Sequence, residues 1–149
     1  MLEARDDTDI TVGQDALMQF VRNFGLHQPD RTPCGQPLPV SEAHAMAEIA
    51  RSGRLRQLEL TRRLKLEKST VSRLVANLVR RGWVNRHAAG DDGRGVLLEL
   101  TDDGVVAARR QAEARRTRFT GLLDRVPEHQ RGAVIQALRT LAEAADETG

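Results

Sequence analysis

The chain has 149 residues, of which 40% are hydrophobic, 30% charged and only 3% aromatic, the balance of one ordinary globular domain and too short for a large multidomain enzyme. The formal net charge is +2, and with Cys34 as its single cysteine neither an intrachain disulfide nor an all-cysteine zinc site can form. No stretch approaches the ~20 apolar residues of a membrane-spanning helix and the acidic start lacks an apolar signal core, so a cytoplasmic protein with no membrane partner is expected.

The charge is unevenly spread. Residues 51–94 hold 12 Lys and Arg against 4 Asp and Glu, whereas the remainder holds 11 against 17. A basic middle between acidic flanks is the footprint of a polyanion-binding module. A solvated surface produces a charge run too, so the local motifs have to decide.

Residues 1–9 are acidic and without period, which predicts a flexible N-terminus. From Ile10 the pattern becomes helical: Leu17, Phe20, Val21 and Phe24 form one apolar stripe that should stop near Gly25. Residues 28–39 hold four of the five prolines and read as an irregular connector. Ser41 is the expected N-cap of a second helix, with Ala43, Met46, Ala47, Ile49 and Ala50 on its apolar side. Leu60 and Leu64 fit a short third helix ending near Lys65-Leu66. A fourth opens at Glu67-Lys-Ser-Thr70, repeats Val71, Leu74, Val75 and Leu78 at helical spacing, and ends at Gly82.

After Gly82 the period becomes two. Residues 83–87 and 96–100 are short and β-prone, and residues 88–95 between them make a glycine-rich, charged hairpin tip. Thr101-Asp-Asp103 should start a fifth helix running to about Phe119. Pro127, at a first helical position, starts a sixth, whose Val134, Ile135, Leu138, Leu141 and Ala142 form an apolar stripe. The fold class expected is mainly α with a small β-hairpin wing.

Helix, tight turn, helix and two-stranded ribbon make a winged helix-turn-helix, whose second helix would enter the major groove of double-stranded DNA. Its polar face carries Lys68, Ser69, Thr70, Ser72, Arg73, Asn77, Arg80 and Arg81. Arg73, one turn in, can pair bidentately with a guanine edge, and the hydroxyls can serve base edges or phosphates. Arg80 and Arg81 belong to the phosphate backbone or to solvent, and Arg86 on the first ribbon strand joins the candidate DNA-binding set. At the hairpin tip, the Asp92 carboxylate can hold the Arg94 guanidinium toward an adjacent minor groove. An ordinary polar turn is the alternative there.

The run Leu64-Lys-Leu-Glu-Lys-Ser-Thr-Val-Ser-Arg-Leu-Val-Ala-Asn-Leu-Val-Arg-Arg-Gly-Trp-Val84, followed by Asp92-Gly-Arg94 and Leu100-Thr-Asp-Asp-Gly104, closely resembles the MarR family of bacterial transcriptional regulators. The resemblance spans about residues 16–142. It implies a winged helix-turn-helix core over about 41–100 within a single MarR-like domain, 10–149. It also implies dimerisation helices over about 10–27 and 102–146, a homodimer on a pseudo-palindromic operator, and repression relieved by a small-molecule effector. It maps Ser69, Thr70, Ser72 and Arg73 to the groove-reading helix and Arg94 to a wing arginine braced by Asp92. Three positions depart from the family pattern: Lys65 replaces a turn glycine, Glu67 a capping Ser or Asp, and Arg56 another cap.

For the effector, the resemblance points to a crevice near the end of the first helix, the proline loop and the second helix. Phe20, Phe24, His27, Cys34 and His44 are the candidates. Phe20 and Phe24 with Met46 and Trp83 would line an apolar pocket, or serve simply as core. A metal- or redox-responsive regulator using His27, Cys34 and His44, with Glu42 as a further ligand, is the alternative, since imidazole, thiolate and carboxylate suit Zn²⁺. Against it, hydroperoxide-sensing relatives carry their reactive cysteine in or before the first helix, and zinc-sensing relatives add histidines from the fifth, which here has none. No metal site and no cofactor are expected.

Enzymatic activity is not expected, because Ser69 and Ser72 have no histidine close in sequence and Gly90-Asp-Asp-Gly-Arg-Gly95 is not followed by the Gly-Lys-Thr/Ser of a phosphate loop. An effector-independent architectural DNA-binding protein is the rival, and it would bind specific and random DNA alike with a steep salt dependence.

Overall fold

The computed structural model describes residues 7–88 and 95–147. Six helices and three strands follow one another as α1 (Asp7–Phe24), α2 (Val40–Ser52), β1 (Arg54–Arg56), α3 (Gln57–Leu64), α4 (Lys68–Arg80), β2 (Val84–Ala88), β3 (Val96–Leu100), α5 (Asp102–Asp124) and α6 (Glu128–Glu147). The fold is mainly helical with a small antiparallel sheet, a winged helix-turn-helix. Two compact units divide the chain within α5, one of residues up to Ala114 and one from Arg115 onward.

In the first unit, the core is made by the apolar sides of α2, α3 and α4 closed against the sheet and the start of α5. Met46, Ile49, Leu60, Val71, Val75, Leu78 and Leu98 are fully buried. The stripe at Val71, Leu74, Val75 and Leu78 turns inward as its spacing requires, leaving the other side of α4 to solvent. Burying a Leu or Val side chain of this kind stabilises a fold by about 1.5–3 kcal/mol.

Several expectations are corrected. Residues 7–9, read as part of a flexible end, are the first turn of α1, where Asp7 and Asp9 face the positive end of the helix dipole. The cap of α2 is not Ser41: the helix begins at Val40, with Pro39 in the capping position and no side-chain cap bond. The wing is not a bare hairpin, because β1 adds a third strand in the order β1-β3-β2, pairing Leu55 with Leu98 while Arg86 pairs with Leu98 from the other side. The fifth helix runs on to Asp124, and Pro127 stands just before the sixth. The hairpin tip, with Asp92 and Arg94, lies outside the described residues.

The proline-rich connector is ordered around one side chain. Thr32, buried, accepts the Gln36 N–H on its hydroxyl at 3.0 Å and the Gly35 N–H on its carbonyl at 2.9 Å, while its own N–H meets the Gln36 carbonyl. Leu38, 1% exposed, then plugs the loop into the unit before α2 begins.

In the second unit, α6 follows α5 through a tight turn that Arg131 closes, its Nε donating to the carbonyls of Leu123 and Val126 at 3.0 and 3.1 Å. Ile135, Leu138 and Leu141 of the expected apolar stripe stand exposed.

Candidate nucleic-acid interface

The turn between α3 and α4 is made without its usual residues. Lys65 caps α3 in the left-handed conformation, φ +54°, and is the only non-glycine with positive φ among the described residues. Glu67 and Arg56 take the capping positions of α4 and α3 in extended conformation with no side-chain cap bond. The turn is held by packing: Leu60 and Val71 are buried on its two sides. Arg63 ties α3 to α2, donating to Glu59 at 3.2 Å, to Glu48 at 3.2 Å and to the Ser52 hydroxyl at 2.9 Å. Those two carboxylates, Glu59 first, raise the pKa of the Arg63 guanidinium above its ordinary value.

Lys68, Ser69, Ser72, Arg73 and Arg80 are exposed along one side of α4, and Thr70 is half-buried beside them. Arg73 Nη2 lies 3.4 Å from the Thr70 hydroxyl, a weak contact that leaves most of its donors for another partner. Ser72 accepts from Gln57 Nε2 at 3.3 Å, so α3 steadies one hydroxyl of the reading face. An exposed row of guanidinium, ammonium and hydroxyl groups on a helix anchored by its opposite side can meet phosphates and base edges together.

Toward the far end of α4 the sequence expectation changes. Arg81, exposed, is also tied inward: its Nε donates to Glu42 Oε2 at 3.2 Å and its guanidinium lies over the Trp83 ring, 5.2 Å from the centroid. Asn77, expected on the polar face, is half-buried and donates from Nδ2 to Glu42 Oε1 at 3.1 Å, while its Oδ1 accepts from Arg80 Nη2. Glu42, 3% exposed, was not singled out for this role, and no local motif signals it. A cleft of about 430 Å³ lies over this group, with Asp30, Pro37 and Pro39 on its other wall.

A clasp joins the end of α4 to the start of α5. Thr101 donates its hydroxyl to the Gly82 carbonyl at 2.6 Å and accepts the Gly104 N–H at 2.9 Å, and its own N–H meets the Trp83 carbonyl at 3.0 Å. The expected Thr101 cap is present, and it also holds the turn that ends α4. On the sheet, Glu99 of β3 takes Arg54 at 3.3 Å and His87 at 3.5 Å on the outward face. Arg86, exposed, stands opposite the buried Leu98 and so on the sheet face nearer the helices.

Residues 36–95, from the proline loop through α2, α3, α4 and the wing, match the model of the MarR family. Over those residues the chain is similar to the MarR family. An uncharacterized HTH-type transcriptional regulator of Mycobacterium leprae is 23% identical over 145 residues, covering 95% of this chain and 98% of that protein. Two solved structures share the fold: the PcaV transcriptional regulator of Streptomyces coelicolor in complex with its natural ligand and FabT of Streptococcus pneumoniae in complex with DNA. PcaV has a TM-score of 0.70 at 22% identity, covering 96% of this chain and 99% of that one. FabT has a TM-score of 0.68 at 18% identity, covering 96% of each chain. The Mycobacterium leprae and Streptomyces coelicolor proteins are both transcriptional regulators.

The residues expected for an effector are not brought into one constellation. Phe20 and Phe24 stack on each other, 5.3 Å between centroids, with Phe20 exposed, whereas Met46 is fully buried in the core and Trp83 lies under Arg81. The shared apolar pocket of these residues is therefore corrected. Cys34 contacts the Thr32 hydroxyl at 2.9 Å, and His27 and His44 are exposed. No group of three His, Cys, Asp or Glu that could hold a metal ion occurs among the described residues, so His27, Cys34, Glu42 and His44 do not assemble. The Glu42 carboxylate of that alternative is instead occupied by Asn77 and Arg81. A second cleft, of about 500 Å³, lies beside Phe24, Gln28, Asp30, Arg31 and Thr32. Among the described residues no helix is long and apolar enough to cross a membrane.

Proposed function

We propose that this transcriptional regulator binds double-stranded DNA sequence-specifically as a homodimeric repressor, released from a pseudo-palindromic operator by a small-molecule effector. The observation that carries the DNA partner is the exposed face of α4, where Lys68, Ser69, Ser72 and Arg73 stand together above a helix anchored by four buried residues. DNA-bound FabT and ligand-bound PcaV, which share the fold, support DNA as partner and an effector as its release. In this reading Thr70, Asn77, Arg80 and Arg86, with Asp92 and Arg94 of the wing, complete the DNA contacts. The reading also assigns the winged core to about residues 41–100 and dimerisation to helices over about 10–27 and 102–146, with the effector near the end of α1 and the proline loop.

The test is a pull-down of genomic fragments by the purified protein at near-physiological salt, including the DNA upstream of its own gene. The expected result is a short inverted repeat with half-sites about one helical turn apart. Arg73→Ala should then relax the preference for that repeat by about 1–3 kcal/mol while changing binding to unrelated duplexes far less. Coverage without a motif, with wild type and Arg73→Ala alike on all duplexes, would instead make the protein an architectural DNA binder.

A further inference from the structure

We infer that Glu42 is a positioning residue for DNA binding, acting through Asn77 on Arg80: a buried carboxylate of α2 sets which atom of the Asn77 amide meets the arginine at the far end of the reading helix. The inference rests on the DNA-binding reading above and changes one part of it, moving Asn77 from a DNA contact to a relay.

Each link is used in the only sense its chemistry allows. An ionised carboxylate accepts and never donates, so the group of Asn77 that faces Glu42 Oε1 at 3.1 Å must be the NH₂. That orientation turns Oδ1 the other way, as an acceptor. Arg80 carries donors only, and its Nη2 is bonded to that Oδ1. Were the amide rotated by half a turn, a carboxylate would face an oxygen and a guanidinium would face an NH₂, and both contacts would become repulsive.

Glu42 is itself held. Its second oxygen takes Arg81 Nε at 3.2 Å, and Arg81 lies over Trp83, so the carboxylate keeps a countercharge and a fixed position although it is only 3% exposed. The relay thus joins α2 to the last turn of α4 across 35 residues of sequence. Arg80, exposed and in no ion pair with an acid among the described residues, is the end that a phosphate can reach. Holding a long side chain near its working position lowers the rotamer entropy lost when DNA binds.

The experiment compares wild type, Glu42→Gln, Arg80→Ala and the double variant on two duplexes, one selected by the wild-type protein from a random pool and one unselected. Affinities are read against salt from about 0.05 to 0.2 M, and thermal stability is measured for all four proteins. Gln at position 42 keeps the volume but can donate as well as accept, which frees the Asn77 amide to turn.

The expected result is that Glu42→Gln weakens binding to both duplexes by roughly three- to tenfold near 0.15 M salt and lowers the salt slope by about one, as Arg80→Ala does. In the Arg80→Ala background it should weaken binding no further, although it lowers thermal stability there by as much as in wild type. That last pair separates an effect through Arg80 from a general loosening of the fold. Losses that multiply in the double variant, an unchanged salt slope for Glu42→Gln, or an Arg80→Ala protein that binds like wild type would overturn the relay and leave the DNA-binding reading standing. A wild-type protein that selects and binds no duplex would overturn both.

Discussion

At the scale of single residues, the turn that leads into α4 is the place where this chain departs from the pattern of the family it resembles. Lys65 occupies a left-handed position, φ +54°, that costs a side-chain-bearing residue about 1 kcal/mol and glycine almost nothing. Lys65→Gly should therefore raise stability in urea unfolding by about 0.5 kcal/mol, the relief of strain being partly offset by the greater freedom of glycine in the unfolded chain. A loss of stability would mean that the lysine stem contributes packing that its exposure hides. The neighbouring Glu67 and Arg56 make the same point from the other side, since neither forms a side-chain cap bond. A missing cap is worth only ~1 kcal/mol, less than the burial of Leu60 or Val71 next to it, so both helices start where their apolar spacing puts them.

At the scale of elements, what was legible in the sequence was what is periodic. Val71, Leu74, Val75 and Leu78 define α4 and its exposed face without help from elsewhere, and the change to period two after Gly82 marks β2 and β3. β1 was not legible, because the three residues Arg54–Arg56 are too few to show alternation and become a strand only by pairing with β3. Nor was the end of α4: the partners Glu42 and Arg81 stand 39 residues apart, and charge alone placed Arg81 with the phosphate backbone or solvent. The clasp at the start of α5 shows the opposite case. Thr101 reads as a cap and is one, but the reason for Gly104 appears only in space, where an added Cβ would come within 2.0 Å of the Trp83 carbonyl oxygen. That atom is backbone and cannot swing aside. Gly104→Ala should accordingly destabilise the protein by about 2 kcal/mol, the overpacking outweighing the ~1 kcal/mol that alanine gains in a helix. Thermal unfolding checks this, and an alanine variant as stable as wild type would show that α5 can slide away from the clasp.

At the scale of the whole molecule, the question is what covers the apolar side chains that no part of one chain buries. α1 has no buried residue at all, and its Leu17 and Met18 are 58% and 57% exposed. On α6, Ile135, Leu138 and Leu141 repeat at helical spacing and are likewise open. Single exposed apolar residues are ordinary, but two helices each presenting a row of them are what an interface between copies of the chain requires. The proposed pseudo-palindromic operator would give this a functional meaning: one copy would reach one half-site and the second would lie about 34–36 Å farther along the duplex, so tight binding would need both copies held at that spacing. Placing charge in the α6 row tests the link. Leu138→Glu with Leu141→Glu should convert a dimer to a monomer in sedimentation velocity, since burying two unpaired carboxylates in an apolar interface costs more than such an interface can recover. Affinity for a duplex with two half-sites should fall by at least a hundredfold, while affinity for one half-site stays near that of wild type because α4 and its core belong to the other compact unit. A variant that remains dimeric, or a monomer that still holds the full duplex as tightly, would break the connection between the α6 row and operator binding.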